Sequence, residues 1–204
     1  GLALLAVCAL VLGVRALGFE WVFVGDDVVF PPADPQYHVR RSLYTFHHFP
    51  RVLMFDPYIN YPDGAPVPWP PLFDFVVGGL ARVLASSERG FEVVIAWASP
   101  VCAALTLLPV YQIGKRVASR AVGVGAGALF ALVPIGVNYS HLGNADHHAA
   151  VSLIGAWLLF LCGRLVDPSL PVAGLRRLAA ALVCVRAALL LTWHGSLLYL
   201  GLAE

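Results

Sequence analysis

Residues 91–113 read FEVVIAWASPVCAALTLLPVYQI, and Glu92 is the one charged side chain in this run. A helix that crosses a bilayer needs about 20 mostly apolar residues, so this stretch predicts a membrane span. The composition of the whole chain agrees with that prediction. Of its 204 residues, 59% are hydrophobic and only 12% are charged, whereas a soluble domain has about 25% charged residues. The sequence therefore predicts a protein embedded in lipid.

Apolar runs on both sides of residues 91–113 predict further spans. The first run is interrupted only by Arg15, and a cleaved signal peptide is the alternative interpretation of it, although a small-residue cleavage site is missing. Residues 72–85 are apolar but short, which favours a helix in the membrane interface; a true span there is the alternative, and it would invert everything that follows. We predict an all-α polytopic membrane protein with about five transmembrane helices, at residues 1–19, 91–113, 121–139, 148–166 and 178–200.

Charges in the connecting segments predict the orientation of these helices. Short loops rich in Lys and Arg face the cytosol. With five spans and a cytosolic N-terminus, the first loop (20–90), the second outer loop (140–147) and the end of the last span lie on the extracytosolic side. The first loop is so rich in proline that we expect turns rather than regular helix outside residues 72–85. The basic residues of the two cytosolic loops are Lys115, Arg116, Arg120, Arg164, Arg176 and Arg177.

The titratable side chains converge on the extracytosolic face, so we expect a functional site there. A net charge of +1 gives no reason to expect a nucleic-acid partner. The four cysteines lie in apolar runs without metal-ligand or disulfide spacing, and motif templates of soluble enzymes are absent. All seven histidines fall in the predicted outer regions: His38, His47, His48, His141, His147, His148 and His194.

Two motifs on this face could carry chemistry. Asp34 precedes Pro35, which is also typical of a turn or of the start of a helix. Asp146 and His148 are two positions apart where the third span gives way to the fourth, and an extended backbone there would let both bind one divalent cation. Asp146 as the cap of a helix is the alternative, but capping does not explain the adjacent histidines. Asp26 and Asp27 form an alternative acidic pair near Asp34.

A third motif, Thr192-Trp193-His194-Gly195-Ser196, lies at the outer end of the last predicted span. Tryptophan is common at a membrane interface. His194 is a candidate for the same cavity, and a packing histidine is the alternative.

In this order along the chain, the motifs resemble the catalytic subunit of oligosaccharyltransferase, the STT3/AglB/PglB family, in its archaeal form. The resemblance covers nearly the whole chain. It rests on Asp34-Pro35-Gln36-Tyr37-His38-Val39-Arg40, on Val67-Pro68-Trp69-Pro70-Pro71-Leu72-Phe73, on Asn144-Ala145-Asp146-His147-His148 and on Trp193-His194-Gly195-Ser196. The last motif departs from the family's Trp-Gly-Gly-Tyr element at His194 and Ser196.

The resemblance implies a fold of the GT-C type and a metal-dependent activity. The family transfers an oligosaccharide from a lipid-linked phosphate or diphosphate donor to the Asn of an Asn-x-Ser/Thr sequon on the extracytosolic face. Asp34 is implied as the catalytic carboxylate that contacts the acceptor amide, and Asp34, Asp146 and His148 as ligands of Mn²⁺ or Mg²⁺. Arg40, His147, Trp193 and His194 are expected to bind substrate.

Three further expectations follow. The chain begins without Met and stops straight after an apolar run, so we expect the N-terminal part of a transmembrane catalytic domain that is inactive alone. A prokaryotic plasma membrane is the expected location. Alternative functions are another polyprenyl-phosphate-sugar transferase of the O-mannosyl type, and a transporter, which would place ionisable groups near mid-bilayer.

Overall fold

A computed structural model describes residues 1–167 and 171–202 of the chain. This part is mainly α-helical, with two small antiparallel sheets. One sheet pairs β1 (Phe23–Val24) with β2 (Asp27–Val28), and the other pairs β3 (Phe55–Asp56) with β4 (Ala65–Pro66). In chain order the helices are α1 (Leu2–Arg15), α2 (Phe19–Val22), α3 (Asp34–His48), α4 (Leu72–Leu84), α5 (Glu88–Val117), α6 (Arg120–Leu132), α7 (Pro134–Asn138), α8 (His148–Leu165), α9 (Val172–Thr192) and α10 (Leu197–Leu202).

Two of the described helices, α5 and α8, are long and apolar enough to cross a bilayer. Helix α5 has 30 residues and packs against α1, α4, α6 and α8, so it is the central element of the fold. Helices α1 and α6 are apolar but shorter. With 14 residues, α1 is about 21 Å long at 1.5 Å per residue. The number of helices that cross the membrane stays a prediction.

Three of the predicted spans do not form one continuous helix; in the first, 1–19, α1 ends at Arg15 and a turn precedes α2. Within residues 121–139, the helix stops before Pro134, because proline has no N–H and disfavours helical backbone at the preceding residue; Val133 is accordingly extended. Within residues 178–200, Trp193 is extended and a 3-10 turn follows at His194–Ser196. A side chain at Gly195 would overlap the Trp193 ring, so the turn requires glycine.

The first loop contains more regular structure than its proline content predicts. Helix α3 has 15 residues and begins with Asp34-Pro35, where proline is tolerated because the N–H groups of a first helical turn have no partner within the helix. Residues 36–48 contain neither proline nor glycine, so nothing interrupts the helix before Pro50. The expectation of turns alone is wrong for this segment.

Helix α3 packs on α4, and both pack on the N-terminal half of α5. Gly78 of α4 makes the close approach possible, because a Cβ at this position would lie 2.6 Å from the Ser42 carbonyl oxygen of α3. This packing places Asp34, at the first turn of α3, over the loop that leads into α8. The buried apolar side chains at the junction are Phe46, Phe73, Val77, Ala81, Phe91, Ile95 and Ala145.

Candidate metal centre

The loop between α7 and α8 carries Asp146 and is tied to two helices through its backbone. Leu142 N–H donates to the Arg15 carbonyl at the end of α1 (2.9 Å), and Gly143 N–H donates to the Ala96 carbonyl of α5 (3.0 Å). Gly143 has φ +79°, a left-handed conformation that favours glycine. These contacts hold the loop in one conformation and thereby position Asp146.

Asp34, Asp146 and His148 line one open cleft of about 340 Å³. Asp34 is exposed, and Asp146 is 5% exposed at the bottom of the loop. His148 is the first residue of α8. The structure therefore brings the Asp34 carboxylate close to the Asp146 carboxylate and the His148 imidazole, which lie more than 100 positions further along the chain. The remaining lining residues are Ala33, Pro35, Asn138, Tyr139, His141 and Asn144.

The two oxygens of Asp146 have different surroundings. Oδ1 accepts from the backbone N–H of His147 (2.6 Å) and lies 2.7 Å from His147 Nδ1 and 3.6 Å from His38 Nε2. Oδ2 lies 3.6 Å from His148 Nε2, which is beyond hydrogen-bond distance. Burial alone raises the pKa of Asp146, but the hydrogen bond from His147 and the three neighbouring histidines outweigh it, so this pKa lies below its ordinary value.

A second set of donors lies directly beneath the cleft and shares Asp146. The side chains of His38, Asp146 and His147 are buried, and their ligand atoms lie within 4.8 Å of one another. His38 Nε2 is 3.0 Å from His147 Nδ1. His147 Nε2 is buried without a hydrogen-bond partner. The structure thus offers an outer donor set with His148 and an inner one with His38 and His147.

The outer set has the donor types that suit a divalent cation, but among the described residues only the inner set has ligand atoms that all lie within 4.8 Å of one another. Two carboxylates and one imidazole have the oxygen and nitrogen donors that suit Mn²⁺ or Mg²⁺, and Oδ2 of Asp146 is free to bind. In the inner set, the spacings of 2.7 and 3.0 Å are those of hydrogen bonds already made. A cation there would have to displace the proton that these atoms share.

The other residues predicted to bind substrate lie at different distances from this cleft. Arg40 is engaged elsewhere: its guanidinium forms a bidentate pair with Asp56 (2.7 and 3.0 Å) and covers the Tyr58 ring. Trp193 lies near the site, with its ring centroid 5.7 Å from that of His148 and 6.2 Å from that of His147. His194 is exposed in the 3-10 turn and lines neither the cleft nor the cavity beside it.

The alternative acidic pair, Asp26 and Asp27, lies away from the cleft. Asp27 is in β2 and Asp26 is in the turn between β1 and β2. Both are exposed, and neither lines the cleft. The geometry therefore favours Asp34 over this pair as the carboxylate of the first loop.

A second cavity, of about 370 Å³, adjoins the cleft and shares Tyr139 and His148 with it. It lies between α5, α6, α7 and α8, and Trp193 closes one side. Its surface is mainly apolar. The apolar lining includes Ala103, Phe130, Ile135, Ala149, Val151 and Tyr199, and the polar lining includes Thr106, Ser140 and Ser152. A polar cleft that opens beside an apolar cavity suits a ligand with a charged head and an apolar tail.

Sequence reasoning assigned no role to three buried polar residues beneath the cleft. Asp74 is fully buried in α4, where it pairs with Arg41 Nη1 (2.8 Å) and His38 Nδ1 (2.8 Å). Asp74 is the only charged residue between Leu72 and Ala81. An unpaired carboxylate is costly in an apolar setting, so a lone acid in an apolar helix was the signal that a buried partner exists.

Comparison with known proteins identifies the family and supports the fold. The sequence profile described as "Oligosaccharyl transferase STT3, N-terminal" matches residues 5–166. That match covers most of the chain, and the chain belongs to this family. The family predicted from the motifs is confirmed.

Curated archaeal relatives share about a third of the aligned residues. The dolichyl-phosphooligosaccharide-protein glycotransferase 3 of Archaeoglobus fulgidus is 33% identical over 134 residues, which is 62% of this chain and 15% of the relative. Glycotransferase 1 of the same organism is 31% identical over 168 residues, which is 78% of this chain and 27% of the relative. The chain therefore spans about a quarter or less of the length of these relatives.

Solved structures of an oligosaccharyltransferase from Archaeoglobus fulgidus share the fold. The apo form matches with a TM-score of 0.86 at 24% identity, over 97% of this chain and 24% of that chain. The form in complex with Zn and sulfate matches with a TM-score of 0.84, and the form with an inhibitory peptide and a dolichol-phosphate with 0.83.

Proposed function

We propose that this chain is the N-terminal part of the catalytic membrane domain of a glycosyltransferase that transfers an oligosaccharide from a lipid-linked phosphate or diphosphate to the Asn of an Asn-x-Ser/Thr sequon. The observation that carries the proposal is the shared cleft of Asp34, Asp146 and His148. The archaeal relatives are glycotransferases by name, and one solved relative holds a peptide and a dolichol-phosphate.

Asp34, Asp146 and His148 would hold one divalent cation, Mn²⁺ or Mg²⁺. A cation at this place supplies a positive charge that binds phosphate oxygens and stabilises the leaving group. Asp34 is exposed at the rim, where its carboxylate can accept the N–H of an acceptor amide and orient it. Asp34 therefore combines the catalytic role with metal binding.

The donor would lie across the cleft and the adjoining cavity. Trp193 lines the cavity next to His148, where it suits the donor beside its phosphate, and the apolar cavity suits the first isoprene units. His147 is buried and lines neither the cleft nor the cavity, so direct contact with the donor is not expected of it. The position of Arg40 in the pair with Asp56 argues for a role in holding the outer loop together rather than in direct contact with substrate.

We propose that α1, α5, α6 with α7, α8, and α9 correspond to the five predicted spans, and that α4 lies in the interface. The basic ends of α5 and α9 then face the cytosol, in agreement with the charge rule. Asp34, Asp146 and His148 lie together on the opposite face. In a prokaryote this is the outer side of the plasma membrane.

The test is transfer of the native donor to an Asn-x-Thr peptide by the full-length protein of which this chain is part. Asp34→Asn, Asp146→Asn and His148→Ala are each expected to lower the rate at least about 100-fold, more than the loss typical of a residue one shell further from a metal. Asp27→Asn is the matched control, since this carboxylate lies outside the cleft. A variant of the three with normal transfer would remove that residue from the site, and normal transfer in all three would refute the function.

A further inference from the structure

The carboxylate of Asp74 lies beneath the candidate metal centre without touching the cleft. It is fully buried in α4, and both of its oxygens are hydrogen-bonded: Oδ2 accepts from Arg41 Nη1 (2.8 Å), while Oδ1 accepts from His38 Nδ1 (2.8 Å) and from the Ser42 hydroxyl (3.3 Å). Burial of a carboxylate is costly unless it is paired and hydrogen-bonded. An apolar residue at this position would stabilise the α3–α4 contact equally well. Stability alone therefore does not explain the network.

The contact with Asp74 decides which nitrogen of His38 carries a proton. A carboxylate paired with Arg41 only accepts hydrogen bonds, so His38 Nδ1 must carry the hydrogen. In the neutral ring, Nε2 then has the free lone pair. Nε2 lies 3.0 Å from His147 Nδ1, so His147 Nδ1 must donate to it.

The same hydrogen on His147 Nδ1 also points at Asp146. Oδ1 of Asp146 is 2.7 Å from this nitrogen and 2.6 Å from the backbone nitrogen of His147. Two N–H groups therefore hold Oδ1 on the inner side of the loop. The other oxygen, Oδ2, is left for the cleft, at 3.6 Å from His148 Nε2.

We propose that Asp74 is a positioning residue that acts through His38 and His147 to keep Oδ1 of Asp146 turned inward and Oδ2 available to the cation. The inference rests on the proposed metal site of Asp34, Asp146 and His148. In this arrangement the inner donors are a hydrogen-bonded support and do not bind a metal ion themselves. Hydrogen bonds from residues that contact a ligand but not the metal set the orientation of that ligand, and their loss typically changes metal affinity about 10- to 100-fold.

The test measures Mn²⁺ binding to the full-length protein directly, from the electron paramagnetic resonance signal of the free ion. Asp74→Asn keeps the shape of the side chain, but its NH₂ group can donate to His38 Nδ1 and so permit the other tautomer. We expect the Kd for Mn²⁺ to rise about 10- to 100-fold. Transfer activity should then recover at high Mn²⁺, a midpoint shift that a loss of folded protein does not produce.

Asp56→Asn is the matched control. Asp56 is also a fully buried carboxylate paired with an arginine of α3, but no described contact connects it with His38 or Asp146. Its Kd for Mn²⁺ should stay within about twofold of the wild-type value. This change is well below the rise in Kd expected when a hydrogen bond that orients a metal ligand is lost. An increase as large as that of Asp74→Asn would mean that general disturbance of α3 explains the effect, and it would overturn the proposal.

His38→Ala provides a second route, because it leaves the pair of Arg41 and Asp74 intact if Asp74→Asn fails to fold. It should raise the Kd by a similar factor, and the double variant should bind no more weakly than His38→Ala alone if Asp74 acts through His38. Additive losses, or a wild-type Kd in Asp74→Asn or His38→Ala, would overturn the inference. If Asp34→Asn and Asp146→Asn also bind Mn²⁺ normally, the metal site itself is wrong; if only these two lose Mn²⁺, the positioning role alone fails.

Discussion

Arg15, at the end of the first helix, donates a 2.7 Å hydrogen bond through Nε to the hydroxyl of Ser140, 125 positions away. The guanidinium is 1% exposed, and Nη1 also donates to the Ala131 carbonyl at the end of α6 (3.1 Å). The carbonyl of the same residue accepts from Leu142. One buried arginine thus joins α1, α6 and the loop that carries Asp146.

Arg15→Met is expected to lower the free energy of unfolding of the full-length protein by about 1.5–3 kcal/mol, the range for hydrogen bonds to a charged group. Methionine keeps most of the apolar stem but makes none of these bonds. Thermal unfolding in detergent measures the effect. Ser140→Ala, which removes only one partner, should cost less, about 1 kcal/mol. An unfolding temperature equal to that of the wild type in both variants would show that the bonds contribute nothing.

Mn²⁺ should stabilise the full-length protein by mass action if the cleft binds it. At a concentration 100 times the Kd, the expected gain is about 2.7 kcal/mol, visible as a higher unfolding temperature that chelation with EDTA reverses. Asp34→Asn and His148→Ala should lose most of this gain, because each removes a donor from the cleft. If the ion raises the unfolding temperature of these variants as much as that of the wild type, it binds elsewhere.

Asp56 should contribute to stability in a pH-dependent way. Burial alone raises its pKa, but hydrogen bonds from the Tyr58 backbone, Arg40 and Tyr37 outweigh it, and the pKa lies below its ordinary value. A carboxyl with a lowered folded-state pKa stabilises the protein above its unfolded pKa of about 3.9 and loses this contribution as the pH falls. Burial, together with the hydrogen bond to Asp56, raises the pKa of Tyr37 to about 12.

Asp56→Asn should therefore destabilise the full-length protein near neutral pH by about 1.5–3 kcal/mol, and the difference from the wild type should shrink as the pH falls below about 4. Unfolding by denaturant at a series of pH values measures this difference. A gap that is constant between neutral and acidic pH would mean that the charge of Asp56 is not what stabilises the loop.

Gly78→Ala tests the contact between α3 and α4. A Cβ there would lie 2.6 Å from the Ser42 carbonyl and 2.7 Å from Thr45 Cβ, so the helices must separate at a cost of about 1–3 kcal/mol. Gly125→Ala is the control, because this helical glycine is exposed and has nothing within 4 Å of the added atom. We expect Gly125→Ala to leave stability unchanged or raise it by up to about 1 kcal/mol. Equal effects of the two changes would argue against close packing at Gly78.

Sequence patterns predicted the helices that are apolar throughout. They did not predict α3, whose stability comes from packing on α4. The apolar runs in α5 and α8 are easy to recognise, because the lipid-facing and the buried side chains of these helices are both apolar. Helix α3 carries histidines, arginines and an initial proline, so local composition argues against it. Its helical state depends on burial against α4, which no local pattern records.

The residues of the candidate site could likewise be predicted only in part from the sequence. Asp34, Asp146 and His148 were found because their neighbours form motifs of a known family. The network of His38, Arg41 and Asp74 was not found, since its members lie in two segments more than 30 positions apart and belong to no motif. Only the lone charge of Asp74 in an apolar helix pointed to it, and that charge alone does not name its partners.

The loop at Asp146 makes backbone hydrogen bonds to α1 and α5. The carboxylate of Asp34 comes from the segment between those two helices. Every donor of the cleft thus lies upstream of residue 149. During synthesis on the ribosome, the side chains that line the cleft would therefore be able to come together as soon as the beginning of α8 is made, before the rest of α8 and α9.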